Sequence, residues 1–170
     1  MIHGTLDEID GRPALVFERI LPYSVERVWR AVSEPAELER WFPAAADWTP
    51  APGEIFEAAG ATGEVTEVEP PHRLAWTYAG HLYSFDLSAH DDGCKLVFTH
   101  VVDEGMPLAQ TATGWETYLL RLEPHLADEH VSEVDAHKQW EEIHELYAER
   151  FGVDPTPGRQ WAAALRDGQA

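Results

Sequence analysis

The chain has 170 residues, of which 44% are hydrophobic and 11% aromatic, a composition typical of one folded domain rather than a disordered chain. Its 31 acidic and 12 basic residues give a formal net charge of −19, which disfavours nucleic acids and anionic membrane surfaces as partners. The single cysteine, Cys94, excludes an intramolecular disulfide and a cysteine zinc site. No segment has the length and hydropathy of a membrane span, and the first residues lack the pattern of a signal peptide. We therefore expect a soluble cytoplasmic protein without membrane insertion.

The first part of the chain predicts one strand followed by two short helices. Residues 14–21 have the composition of a strand, which ends at Pro22. Ser24 suits the N-cap of a helix, and the apolar face of that helix consists of Val25, Val28, Trp29 and Val32. Pro35 suits the first turn of a second helix, and the apolar stripe of this one consists of Leu38, Trp41 and Phe42.

Strand-like segments separated by turn residues fill the middle of the chain, at residues 46–49, 54–58, 64–68, 74–78, 81–88 and 95–100. The first of them is weak. Consecutive strands with short connections indicate an antiparallel meander, so we expect an antiparallel sheet of about six to seven strands. Asp92-Gly93 is a hairpin signal between the last two strands, and a turn centred there places His100 near Phe85 and not opposite His81.

A long amphipathic helix is predicted after the strands. Its apolar residues recur every three or four positions and form one stripe, made of Leu108, Ala112, Trp115, Leu119, Leu122 and Leu126. A curved antiparallel sheet buries its concave face only under such a helix, so the predicted fold class is α+β. Residues 128–170 form a helical extension with its own apolar stripe. That stripe packs either on its own domain or, in a homodimer, on a second subunit, and it consists of Trp140, Ile143, Tyr147 and Phe151.

Four segments carry a resemblance to a known family: ERILPYSVERVWRAVSEPAELERWFPA, GEVTEVEPPHRLAWTY, GCKLVFTH and TGWETYLLRLEPHL. In this order they resemble the SRPBCC (START-like, helix-grip) superfamily, in the branch similar to the activator of heat shock protein 90 ATPase. The resemblance covers about residues 12–127. It implies a helix-grip domain over residues 1–127, with a cavity between the sheet and the closing helix, and leaves the extension at 128–170 outside. Members of the superfamily bind lipids, sterols, polyketides or plant hormones in this cavity, and a minority catalyse cyclisation or dehydration.

The predicted ligand-binding residues are the large side chains that strand parity and helix spacing direct inward. They either line a cavity or form a solid aromatic core, and they are Trp41, Phe56, Trp76, Tyr78, His81, Tyr83, Phe85, Phe98, His100, Trp115 and Leu119. Trp41 and Phe56, together with Phe42, are expected to close one end. His81 and His100 are the main polar candidates. A neutral imidazole in an apolar pocket orients a ligand hydroxyl or acts as a base, whereas a structural histidine bonds to a neighbouring protein group.

Metal and cofactor sites are not expected. Glycine-rich phosphate loops and the H-E-x-x-H motif are missing from the sequence, and His137, Glu141 and His144 share one helix face that we interpret as solvated. The leading hypothesis is a non-enzymatic protein that binds a small hydrophobic or amphipathic ligand. Two alternatives stay open: an enzyme of the cyclase or hydrolase kind that uses a cavity histidine, and a chaperone-related or stress-related interaction module.

Overall fold

The computed structural model describes residues 2–43, 48 and 50–168. The strands are β1 (Gly4–Ile9), β2 (Arg12–Leu21), β3 (Ile55–Ala58), β4 (Ala61–Glu69), β5 (Arg73–Tyr78), β6 (His81–His90) and β7 (Gly93–Val101). The helices are α1 (Val25–Ser33), α2 (Pro35–Trp41), α3 (Leu108–Leu126), α4 (Glu133–Ala136), α5 (Trp140–Phe151) and α6 (Thr156–Gly168), with a single 3₁₀ turn at His137–Gln139.

The strands form one curved antiparallel sheet in the order β1-β2-β7-β6-β5-β4-β3. Helix α3 packs over the concave face of the sheet. Helix α1 contacts β6 and β7, and α2 packs against α1 and α3. The predicted α+β class and the helix-grip arrangement are therefore confirmed. The bounds of α3 match the predicted stripe, and the hydroxyl of Ser24 caps α1 by accepting the N–H of Arg27 at 3.1 Å.

The prediction that the sheet begins at residue 14 is wrong, because β1 precedes that strand and pairs with it from Gly4 opposite Phe17 onward. The turn between them consists of Asp10 and Gly11, both with positive φ. Five of the six residues of β1 are exposed, so this edge strand lacks an apolar alternation. The predicted segment at 46–49 lies outside the described residues, apart from Trp48, which is not in a strand.

The predicted register of the last hairpin is also wrong. Asp91 and Asp92 form the turn, His90 pairs with Gly93, and His100 lies opposite Tyr83 rather than near Phe85. Gly93 is instead the first residue of β7, and a Cβ there would lie 2.2 Å from the carbonyl oxygen of Leu21. The glycine thus permits a close approach of β2 and does not mark the turn.

The extension packs against the domain that precedes it. Tyr147 of α5 is fully buried, with its ring centroid 6.4 Å from that of Phe17, and α5 packs along α3. Helix α6 packs on α5 where Gly158 meets the imidazole of His144, which stacks on Trp140. In the described part of the chain, no three His, Cys, Asp or Glu side chains come together as metal ligands would, and no helix has the length and hydropathy needed to cross a bilayer.

Candidate ligand-binding cavity

A cavity of about 290 Å³ lies between the sheet, the end of α2 and the first half of α3. Eight of its twelve lining residues are aromatic, and none of the twelve is Asp, Glu, Lys, Arg or His. The lining consists of Leu38, Phe42, Pro43, Trp48, Phe56, Ala58, Ala59, Trp76, Tyr78, Tyr83, Phe85 and Trp115. A concave, mostly apolar space with few polar groups has the chemistry of a small-molecule site.

Cross-strand pairing places the rings of the sheet side by side on its concave face. Trp76 pairs with Tyr83, which pairs with His100, so the three side chains form one row across β5, β6 and β7. The centroids of Trp76 and Tyr83 are 5.4 Å apart at an interplanar angle of 6°, and those of Tyr83 and His100 are 4.3 Å apart at 15°. Such stacking of neighbouring rings stabilises the packing of this wall of the cavity.

The two aromatic residues at the end of α2 face different surroundings. Trp41 is fully buried in the core, where its indole N–H donates to the carbonyl of Ala31 at 2.8 Å. Phe42, one residue beyond the helix, lies over the cavity, with its ring centroid 5.4 Å from that of Trp115 and 6.3 Å from that of Trp76. Of the three residues predicted at this end of the cavity, Phe42 and Phe56 line it, whereas Trp41 lies in the core.

Most polar atoms of the lining side chains bond to the protein itself. The hydroxyl of Tyr78 donates to the carbonyl of Ala58, and the indole N–H of Trp48 donates to the carbonyl of Ser33 at 3.0 Å. The hydroxyl of Tyr83 has no hydrogen-bond partner among the residues that the structure describes. Burial and the nearby Tyr78 raise the pKa of Tyr83 to about 12, so this phenol is neutral at physiological pH and can donate or accept one hydrogen bond.

A chain of hydrogen bonds lies behind the cavity wall. The indole of Trp115 can only donate, and it donates to Nδ1 of His100 at 2.9 Å. Nε2 of His100 therefore carries the proton and donates to Nδ1 of His81 at 2.8 Å. Nε2 of His81 lies 3.6 Å from a carboxylate oxygen of Asp103. Burial, followed by the charges of His81 and Arg12, lowers the pKa of His100 to about 3, so this imidazole is neutral.

The structure brings six of the eleven predicted residues together around the cavity: Phe56, Trp76, Tyr78, Tyr83, Phe85 and Trp115. Phe98 and Trp41 lie in the core, and His81 and His100 lie behind the ring of Tyr83 and the indole of Trp115. Leu119 lines a separate groove beside His3 and Arg19. The role of all eleven in ligand binding stays a prediction.

Sequence reasoning placed Phe42 at the end of the cavity, but it missed Pro43, Trp48, Ala58 and Ala59 and named Leu38 only as part of the apolar stripe of α2. Ala58 lies two residues after Phe56 in β3, so strand alternation alone could have identified it. Trp48 follows a segment without periodicity, and no sequence pattern indicates that its indole reaches the carbonyl of Ser33.

A second polar group of α3 lies on the side away from the cavity. The carboxylate of Glu116 is fully buried and accepts hydrogen bonds from the backbone N–H of His3 at 3.0 Å, from Arg19 at 2.5 Å and from the hydroxyl of Tyr147. Burial opposes its ionisation, but Arg19, His3 and Tyr147 together lower the pKa of Glu116 below its ordinary value. We call Glu116, Arg19, His3 and Tyr147 the Glu116 cluster. It joins β2, α3, α5 and the residue that precedes β1.

The curved sheet, the closing helix and the cavity between them define a helix-grip protein of the SRPBCC type. Residues 22–127 match the model of the family described as Activator of Hsp90 ATPase homolog 1-like protein, and the chain belongs to this family. None of the curated proteins compared with the chain matches it.

Solved structures of similar proteins share the fold. The crystal structure of CalU16 from Micromonospora echinospora is 24% identical, covers 88% of this chain and 96% of its own, and has a TM-score of 0.69. A protein of unknown function, EF2215 from Enterococcus faecalis, is 20% identical over 88% and 90% of the two chains, with a TM-score of 0.72. DynU16, from the dynemicin biosynthetic locus, is 24% identical over 67% of this chain and 47% of its own, with a TM-score of 0.58. At these identities the likeness concerns the fold alone.

Proposed function

We propose that the protein binds a small, mostly apolar ligand that contains a ring and one polar group. The observation that carries this proposal is the cavity itself, whose wall is two-thirds aromatic and whose Tyr83 hydroxyl has no protein partner among the described residues. Burial of apolar ligand surface supplies about 25 cal/mol per Å², from which the cost of ordering the ligand is subtracted.

The volume limits the size of the ligand. An apolar cavity of about 150 Å³ is known to hold one benzene molecule, so the 290 Å³ measured here has room for about two fused rings or a ring with a short substituent. A sterol or a long acyl chain exceeds this volume and would extend beyond the mouth of the cavity. Among the ligand types found in the superfamily, small ring compounds therefore fit best.

The polar groups support binding rather than catalysis. An acid–base residue must reach the reacting atom, and neither His81 nor His100 lines the cavity. Both nitrogens of His100 are already engaged, one by Trp115 and one by His81. These contacts favour the structural interpretation of the histidines over the cyclase or hydrolase alternative.

The interaction module and the homodimer stay predictions. The stripe of α5 is buried against its own domain through Tyr147, so a dimer through the extension would need another surface. Recovery of chaperones with the tagged protein at native abundance would support the interaction module, and size-exclusion chromatography with light scattering decides the oligomeric state.

The test uses the cavity tryptophans as reporters and 1-naphthol as the probe. We expect saturable quenching of tryptophan fluorescence in the wild-type protein. Ala58→Phe places a ring inside the cavity and should abolish the quenching, whereas the matched variant Ala89→Phe, at an exposed position of β6, should retain it. Circular dichroism establishes that both variants are folded. Equal quenching in both folded variants, or none in the wild type, would overturn the proposal.

A further inference from the structure

We propose that the preferred ligand of this cavity is an organic cation, a quaternary or tertiary ammonium group attached to a small apolar body. This inference rests on the proposed binding function and adds the charge of the ligand. The three observations behind it are the ring-covered wall, the direction of the donor groups and the charge of the whole chain.

The wall offers π faces and no competing charge. Eight rings line about 290 Å³, and none of the described lining residues is a cation that would repel an ammonium group. Neighbouring rings meet at steep angles, 85° between Trp48 and Phe56 and 75° between Trp48 and Trp76, so they approach the enclosed space from different directions. Rings gathered around a space in this way are the type of site that binds ammonium groups through the negative faces of their quadrupoles.

Three donor groups of the polar lining rings point into the protein, whereas the indole N–H of Trp76 has no hydrogen-bond partner among the described residues. The indole N–H groups of Trp48 and Trp115 donate to Ser33 and His100, and the hydroxyl proton of Tyr78 points to the carbonyl of Ala58. These donors are therefore unavailable to stabilise an anion or a carboxylate in the cavity. The remaining hydroxyl, of Tyr83, is amphoteric, and its oxygen can accept the N–H of a tertiary ammonium group.

The charge of the chain acts in the same direction. A formal net charge of −19 produces a negative potential that raises the local concentration of cations and lowers that of anions. This long-range effect is screened by salt, whereas contacts with the rings inside the cavity are not. A neutral ligand gains only from burial of its surface, whereas a cation of the same shape also loses its hydration, a cost that the contacts with the rings and the negative potential have to exceed.

The test compares two probes that differ only in charge. Phenyltrimethylammonium and tert-butylbenzene have the same shape, with a charged nitrogen replaced by a carbon, and benzenesulfonate supplies the anionic counterpart. Calorimetric or fluorescence titration of the full chain at about 0.15 M salt should give at least tenfold tighter binding of the cation than of the neutral isostere, and no binding of the anion.

The outcomes separate this inference from the proposed function. Equal or weaker binding of the cation than of tert-butylbenzene overturns the charge preference and leaves the apolar binding function intact. Failure of both probes while 1-naphthol binds also overturns the preference. If phenyltrimethylammonium, tert-butylbenzene and 1-naphthol all fail to bind, the cavity is overturned as a binding site.

Two changes to the rings show whether the wall itself recognises the charge. Protein labelled with 5-fluorotryptophan keeps its shape but has less negative indole faces, so it should bind the cation several-fold more weakly and the neutral isostere unchanged. Trp76→Leu should lower cation affinity more than neutral affinity, whereas Trp161→Leu, on the exposed surface of α6, should change neither. Loss of the same factor for both probes in the labelled protein would overturn the π-face contribution.

Discussion

Trp115 and Glu116 are consecutive residues of α3, and they belong to two contrasting regions of the molecule. Trp115 borders the cavity, where rings surround a space and the hydroxyl of Tyr83 lacks a partner among the described residues. Glu116 lies in the Glu116 cluster, where both carboxylate oxygens accept hydrogen bonds from side chains and backbone of three other parts of the chain.

The difference shows how to tell binding groups from structural groups in this fold. A polar atom that faces a cavity without a protein partner, such as the hydroxyl of Tyr83, remains available to a ligand. A buried carboxylate that several elements saturate holds those elements together. Tyr83 is half-buried and Glu116 is fully buried, and it is the hydrogen-bond partners of each group that separate the two roles.

The largest expected effect breaks the Glu116 cluster. Glu116→Ala leaves the Arg19 guanidinium buried without its carboxylate, and this should lower the free energy of unfolding by about 3–5 kcal/mol. Urea unfolding at pH 7 measures the loss. Glu18→Ala, which removes the exposed partner of Lys95, is the control and should cost less than about 1 kcal/mol. Similar losses in the two variants would show that the cluster is no stronger than a surface ion pair.

An intermediate effect is expected from His100, behind the cavity wall. Its pKa falls from the ordinary 6.5 to about 3 in the folded protein, so the unfolded chain binds the proton first as the pH drops. The stabilisation from neutral His100 is complete above pH 6.5 and is lost as the pH falls towards 3, about 2 kcal/mol of it between pH 7 and pH 5.

Urea unfolding of wild type and His100→Gln at pH 7, 6 and 5 measures this contribution. The variant should lose less stability over the interval than the wild type, by about 2 kcal/mol. His90→Gln, at an exposed histidine, should follow the wild type. An identical slope for wild type and His100→Gln would mean that His100 titrates normally in the fold.

The smallest expected effect compares two tyrosine hydroxyls, one in each region. Tyr83→Phe should leave the free energy of unfolding unchanged within about 0.5 kcal/mol and weaken 1-naphthol binding about fivefold, with naphthalene binding unchanged. Tyr147→Phe should lower the free energy of unfolding and leave 1-naphthol binding unchanged, because the hydroxyl of Tyr147 bonds to Glu116 and accepts the N–H of Gly4 at 2.8 Å. A stability loss in Tyr83→Phe without any loss of affinity would assign its hydroxyl a structural role.

Sequence patterns predicted those elements whose burial follows a period. The stripe of α3 gave its bounds, and Ser24 and Pro35 gave the starts of α1 and α2, because caps and periodic apolar residues are local signals. Strand β1 was missed since an exposed edge strand has no alternation, although the turn residues Asp10 and Gly11 carried a hairpin signal. The last hairpin was misplaced because Gly93 serves a tertiary contact with Leu21 that no local pattern contains.

The cavity was predictable only in part for a similar reason. Strand parity placed Trp76, Tyr83 and Phe85 on the concave face, but it did not say which of the inward rings border open space and which fill the core. Phe98 points to the same side and is fully buried under Trp115. Whether an inward ring meets a neighbour or a void depends on the approach of α2 and α3, and this is a property of packing in three dimensions.

The adjacency of Trp115 and Glu116 has a consequence for how the binding site can change in evolution. A shift or rotation of α3 that enlarged the cavity would move Glu116 away from Arg19 and Tyr147, so these hydrogen bonds hold α3 in position. Ligands of a different size are therefore accommodated by exchanging an aromatic side chain of the sheet for a smaller one, while the position of α3 stays fixed. We therefore expect related proteins with different ligand specificities to differ mainly in the cavity-lining residues of the strands.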